Sequence, residues 1–160
     1  MSFSYETKNE LCRLPVQKLC CARAEAYGIL LYCNTFSATE VRVITENPNF
    51  AERLPKLFRR AFGLSFDRQP DKEQIEGKRI FQITDPRKLN HIINVLGYDP
   101  QQNLVLHINF AFMEEACDQA AFLRGAFFAG GSITDPQKRY HLELTTSHLQ
   151  VSREIESLLV

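Results

Sequence analysis

The stretch 121–132, AFLRGAFFAGGS, constrains the fold more than any other part of this chain. It reads as the end of a buried helix running straight into a glycine turn. Ala121, Gly125 and Ala129 recur every four residues and stack on one helical face. A glycine inside a helix costs roughly 1 kcal/mol against alanine, so a compensating contact is required. The close approach of a second backbone supplies one. Ninety-seven positions earlier the stretch 20–31, CCARAEAYGILL, lines up with 117–128 without a gap: Cys20 falls on Cys117, Ala24 on Ala121 and Gly28 on Gly125. A period of that length is far too long for a solenoid or a propeller. It suits two copies of an α+β unit, joined where their small-faced helices pack about a pseudo-twofold axis. Ala24, Gly28, Ala121, Gly125 and Ala129 are the expected contact residues.

The rest of the chain fits two such units. Residues 2–13 predict a polar-faced helix capped by Ser2 or Ser4, with Leu11 inward. Pro15 opens the first central helix, which reaches to about Tyr32. Residues 33–45 read as a hairpin turning near Ser37-Ala38, because Val41 and Val43 alternate with Arg42. Asn47-Pro48 starts a helix whose stripe is Leu54, Leu57, Phe58, Ala61 and Phe62, with a kink or restart expected at Pro55. Gly63 ends it. A second hairpin is expected from 64–68 and 78–84, followed by a helix from Asp85-Pro86 with Leu89, Ile92, Ile93 and Leu96 inward and Gly97 at its end. Residues 1–98 thus make one unit and 99–113 a connector, in which Leu104, Val105, Leu106 and Ile108 suggest a short strand or a packed crossing. Residues 114–160 make part of a second unit: helix 114–129, turn at Asp135-Pro136, strand 139–145 and helix 147–159.

The stretch from Leu123 to Ser132 resembles the signature helix of the LAGLIDADG homing endonucleases. Its variant FLRGAFFAGGS, followed by Asp135-Pro136 and Tyr140-His141-Leu142-Glu143, is similar to the WhiA family of sporulation and cell-division regulators. Ser2-Phe3-Ser4, Lys8-Asn9-Glu10-Leu11 and the vicinal Cys20-Cys21 match as well, so the resemblance covers essentially the whole chain. It implies a pseudo-twofold pair of αββαββα units with antiparallel saddle sheets, the second unit incomplete. A helix-turn-helix domain follows in that family and is not recognisable here. The expectation is therefore a shortened form of a longer protein.

In the nucleases the acid ending each central helix binds the metal that activates water. Carried over residue by residue, that position is Gly130 in one copy and Cys33 in the other. Neither is a carboxylate, so the resemblance implies no enzyme, no cofactor and no metal at the old catalytic position. Glu40, Glu46, Asp135 and Glu143 lie nearby in sequence but occupy no equivalent pair of points. The outer sheet face then becomes the expected DNA surface, with Arg42, Arg68, Lys78, Arg79, Lys138 and Arg139 as phosphate contacts. A solvated strand reading is as good for any single one of them. Arg53, Lys56, Arg59 and Arg60 form the densest basic run, explained by the solvent face of a helix.

Charge pulls the other way. Lys plus Arg and Asp plus Glu each number 19, so net charge is zero, whereas a dedicated nucleic-acid module is usually basic. The expectation is weak DNA binding within a non-catalytic transcription regulator of sporulation and cell division. The other reading is a protein-interaction or oligomerisation scaffold that no longer touches DNA. Five cysteines without CxxC spacing predict reduced thiols in the cytoplasm, at the nucleoid, and no apolar run suggests a membrane span. Cys20, Cys21 and Cys117 suit either a redox or metal cluster or three small core residues. An incomplete second unit leaves apolar surface uncovered, which predicts a dimer or a swapped pair.

Overall fold

The computed structural model describes every residue except 1, 17, 75, 100–105 and 160. It is an α+β arrangement built around two central helices, α2 (Leu19–Tyr32) and α5 (Ala116–Gly130). Before them runs α1 (Phe3–Leu11), whose first turn is capped by the Ser2 hydroxyl accepting from the Tyr5 N–H. After α2 come β1 (Thr35–Phe36), β2 (Val41–Thr45), α3 (Pro48–Phe62), β3 (Arg79–Ile83) and α4 (Pro86–Val95). A 3-10 turn at Phe110–Phe112 precedes α5, which passes directly into β4 (Gly131–Ile133), then β5 (Leu142–Leu144), α6 (Leu149–Glu154) and α7 (Glu156–Leu159).

Strands β1, β2 and β3 form one antiparallel sheet in that order, with Val43 opposite Phe81. A separate antiparallel pair, β4 and β5, sets Ser132 opposite Glu143. Val41, Val43, Phe81 and Ile83 turn their side chains into the core beneath the first sheet. Asn47 caps α3 by accepting from the Asn49 and Phe50 N–H groups, and Gly63, at φ 69°, closes it in the left-handed region. Phe50 of α3 stacks on Phe128 of α5 at 5.1 Å, so α3 packs on the second central helix as well. Tyr27 of α2 sits edge-on to Tyr98, Phe112 and Phe122. Its hydroxyl, 2.5 Å from that of Tyr98, donates to the His107 carbonyl and accepts from the Asn109 N–H. This ties the segment at His107 and Asn109 to α2; Leu106 and Ile108 are buried there, while Leu104 and Val105 lie outside the described residues.

Several boundaries differ from the sequence expectations, each for a local reason. Helix α2 begins at Leu19 rather than Pro15, because Arg53 donates to the carbonyls of Cys12 and Leu14 and holds that segment as a loop. Helix α3 runs through Pro55 without restarting. The expected strand 64–68 is reduced to a single bridge from Arg68 to Gln82. The Asp67 carboxylate there accepts from the Thr84 and Asp85 N–H groups and pairs with Lys88 at 2.7 Å, replacing ladder bonds with a side-chain clamp. The expected strand 139–145 contracts to Leu142–Leu144, and the last helix divides at Ile155, where the Ser157 hydroxyl bonds the Glu154 carbonyl.

The two central helices touch through their backbones. A Cβ added to Gly28 would lie 2.1 Å from the Phe122 carbonyl oxygen, and one added to Gly125 would lie 2.0 Å from that of Glu25. Neither contact is relieved by a side-chain rotation. Gly125→Ala is therefore expected to destabilise by about 3 kcal/mol or more in urea unfolding, since helix axes must separate. Gly63→Ala, with open space around it but φ 69°, should cost only about 1–2 kcal/mol.

Candidate functional site

Strand alternation fixes the outer face of the first sheet. With Val41, Val43, Phe81 and Ile83 inward, Arg42 and Gln82 point outward opposite one another. The register extends this row to Thr35 on one side and Arg68 on the other. Arg42 donates to the Glu40 carboxylate at 2.8 Å, and Gln82 donates to the same group. These donors, Gln82 foremost, hold the Glu40 carboxyl below its ordinary range. Arg42 is thus half-exposed and partly neutralised, whereas Arg68, in the same row, and Lys78, at the far end of β3, are exposed. Arg79 differs from expectation. Its side chain is only 6% exposed and donates to the backbone carbonyls of Gln74, Glu46 and Gly77, where it organises the turn before β3. Strand β3 makes this unavoidable: Arg79 shares the inward phase of Phe81 and Ile83. On the second sheet Lys138 and Arg139 are exposed in the turn joining β4 to β5. That turn is closed by the Lys138 N–H donating to the Asp135 carbonyl.

The nearby acids serve turns and surface pairs. Asp135 accepts from the Gln137 N–H, and exposed Glu143 lies 3.5 Å from His141. Glu46 is exposed and offers its carbonyl to Arg79.

At the C-terminal tips of the central helices the positions are closed. The Cys33 thiol is buried and donates toward the carbonyls of Leu30 and Thr35, and burial pushes it up to about 12. A Cβ at Gly130 would stand 2.3 Å from the Thr145 carbonyl oxygen and 3.1 Å from that of Tyr32. The Gly130 carbonyl itself accepts from the Thr145 N–H. Thr145, just past β5, and Tyr32 at the end of α2 therefore stand against the helix tip so closely that no side chain fits there.

A charged knot lies beneath the middle of the helix pair, and the sequence reading missed it. Glu25, 1% exposed, receives both prongs of the Arg53 guanidinium at 2.8 Å and the Arg124 Nε at 2.5 Å. Arg53 was expected on the solvent face of α3; it is instead 6% exposed and turned inward, while Lys56, Arg59 and Arg60 remain outside. The signal was available in the spacing. Arg53 falls one residue before Leu54 on the apolar stripe, within reach of the core, and Glu25 interrupts an otherwise small and apolar helix face.

The N-terminal ends of the same helices gather the vicinal cysteines. Cys20, Cys21, Cys117 and Asp118 place one ligand atom each within 4.8 Å of the others. They are not core packing: Cys20 and Cys117 are exposed, Cys21 is half-buried, and Asp118 alone is buried. The Asp118 Oδ1 accepts from the Cys21 thiol at 3.6 Å and the Cys117 thiol at 3.9 Å. Burial, followed by the neighbouring thiols, pushes Cys21 up to about 12.

The Glu25 knot generates a stability prediction. Glu25→Ala leaves Arg53 buried without its carboxylate and should cost about 3–5 kcal/mol in urea unfolding. The double variant Glu25→Met with Arg53→Met should recover most of that loss, because the two most buried charges leave together and the remaining Arg124, 18% exposed, reaches solvent.

Against known proteins, the family model described as the WhiA LAGLIDADG-like domain matches residues 119–160. The "Probable cell division protein WhiA" of Ruminiclostridium cellulolyticum is 33% identical over 99% of this chain and 53% of its own length. Its namesake in Alkaliphilus metalliredigens is 30% identical over 99% of this chain and 54% of its own length. The chain thus spans about half the length of the relatives it matches. Among solved structures, the N-terminal LAGLIDADG domain of DUF199/WhiA superposes with a TM-score of 0.64 at 19% identity, covering 98% of this chain and 71% of that one. Full-length DUF199/WhiA from Thermatoga maritima gives 0.60 at 20% identity, over 90% of this chain and 44% of that one. No helix among the described residues is long and apolar enough to cross a membrane. With its paired small-faced helices and antiparallel sheets, the chain has the LAGLIDADG-like fold, and it is similar along nearly its whole length to about half the length of the WhiA proteins.

Proposed function

We propose that this chain is a non-catalytic, DNA-associated segment of a regulator that controls the transcription of cell-division and sporulation genes. The observation that carries the reading is the pairing of a LAGLIDADG-like frame with helix tips closed to carboxylates. Cys33 is a buried thiol hydrogen-bonded to backbone carbonyls, and the Gly130 position admits no side chain at all. Divalent cations of the magnesium class need several oxygen ligands, and no side chain at these two positions supplies one. The binding face is the outer side of the two sheets, with Arg42, Arg68 and Lys78 on the first and Lys138 and Arg139 on the second. These long cations neutralise phosphates and position the duplex; they carry little base recognition. Arg79 supports that face indirectly, by fixing the turn that presents Lys78.

A specific observation favours a second reading. Net charge is zero, and Glu40 neutralises part of the exposed row that Arg42 would offer to DNA. A scaffold for protein partners that no longer touches DNA accounts for both facts.

Titration of the chain onto duplex DNA separates the two. Under the first reading affinity falls steeply with salt, with a log–log slope of about −4.5 for five phosphate contacts, and Arg68→Ala or Lys138→Ala each lowers the slope by roughly 1. Absence of binding even at low salt would leave the scaffold reading. Supercoiled plasmid incubated with Mg²⁺ or Mn²⁺ is expected to stay intact, and nicking above a buffer control would overturn the non-catalytic assignment.

A further inference from the structure

The symmetry that pairs Gly28 with Gly125 also pairs the first turns of the two helices, and there it assembles a different chemistry. Cys20 and Cys21 are the second and third residues of α2; Cys117 and Asp118 are the second and third residues of α5. The two helices therefore contribute two donors each, at matching positions about the same axis. Their ligand atoms, three sulfurs and one carboxylate oxygen, already lie within 4.8 Å of one another. In a tetrahedral zinc site, with metal–ligand bonds of about 2.0–2.3 Å, such atoms stand roughly 3.5–3.8 Å apart. A contraction of about 1 Å, well within the rotamer freedom of exposed thiols, closes that gap.

A second observation comes from Asp118. Its carboxylate is 5% exposed, yet among the described residues its side-chain partners are thiols, with no cation in a salt bridge. Buried acids are normally paired with a cation or coordinate a metal. The neighbouring buried acid, Glu25, has its arginines; Asp118 has none. Exposure of Cys20 and Cys117 leaves an open path from solvent.

We propose that Cys20, Cys21, Cys117 and Asp118 form a metal site for zinc or a similarly thiophilic divalent ion. It lies at the opposite end of the helix pair from the closed tips, about 20 Å along α2 from Cys33 at 1.5 Å per residue. Three thiolates and one carboxylate give a closed four-ligand set of the structural type. The positive ends of α2 and α5 face the negative ligands and stabilise them. Bound metal would staple the first turns of the two helices, one from each half of the chain. Because thiols must shed their protons to ligate, loading releases protons to the buffer.

Cobalt titration of the reduced chain under anaerobic conditions tests the site. The expected result is saturation at about one ion per chain with the visible bands of tetrahedral thiolate cobalt, erased by stoichiometric zinc. Asp118→Asn should weaken binding at least about tenfold, and Cys20→Ser with Cys117→Ser should abolish the bands. Both serines replace exposed residues, and far-UV circular dichroism checks that those variants remain folded. A second measurement needs no variant: zinc should protect three thiols from a thiol reagent and raise Tm. Failure of the wild-type chain to bind cobalt would overturn the proposal. So would equal uptake by the double-serine variant, unchanged thiol reactivity with zinc, or isolation of the protein with two of these cysteines joined in a disulfide.

Discussion

Everything else in this molecule is arranged around a contact between peptide groups. At Gly28 and Gly125 the two central helices approach until the backbone of one occupies the space a side chain would need on the other. Only glycine at both points permits it, with Ala24 and Ala121, each fully buried, lining the same seam. That proximity sets the axis, the axis sets which residues face one another, and every feature of interest lies along it. The buried Glu25 knot flanks the seam, the closed tips lie at one end, and the sulfur-rich cluster lies at the other.

Much of this was legible in the residues alone. The four-residue spacing of small side chains located the seam, and the gapless alignment of 20–31 on 117–128 located its partner. Caps were equally readable: Asn47-Pro48, Asp85-Pro86 and Gly63 act in the structure as their chemistry dictates. What the sequence hid were interactions between residues far apart in the chain. Arg53 looked like one cation in a basic run, because nothing local revealed that Glu25 was buried opposite it. Arg79 looked like a surface contact because its period-two phase was outweighed by its charge. Asp118 escaped notice altogether; as a single acid in a helix it becomes distinctive only when three thiols stand around it.

The contrast between the two ends of the helix pair is instructive. Paired acids at the helix tips would require room for them. Here Thr145, just past β5, stands against Gly130 and the Cys33 thiol has folded back on its own helix, so the tip is a packed surface. Closing that room rigidifies the junction between helix and sheet while leaving the outer sheet face intact. The outer faces of the two sheets keep exposed cations at separated points, Arg68 and Lys78 by the first and Lys138 and Arg139 by the second.

The three-way contact at Glu25 has a further consequence. One of its arginines, Arg53, comes from α3 in the first half of the chain, and the other, Arg124, comes from α5 in the second. Phe50 on Phe128 repeats that crossing with an aromatic pair. Neither half owns a complete interior, so neither has a reason to persist once the other melts. Heat should therefore take the whole body apart in one sharp calorimetric step, and an isolated half should be a poor candidate for independent existence.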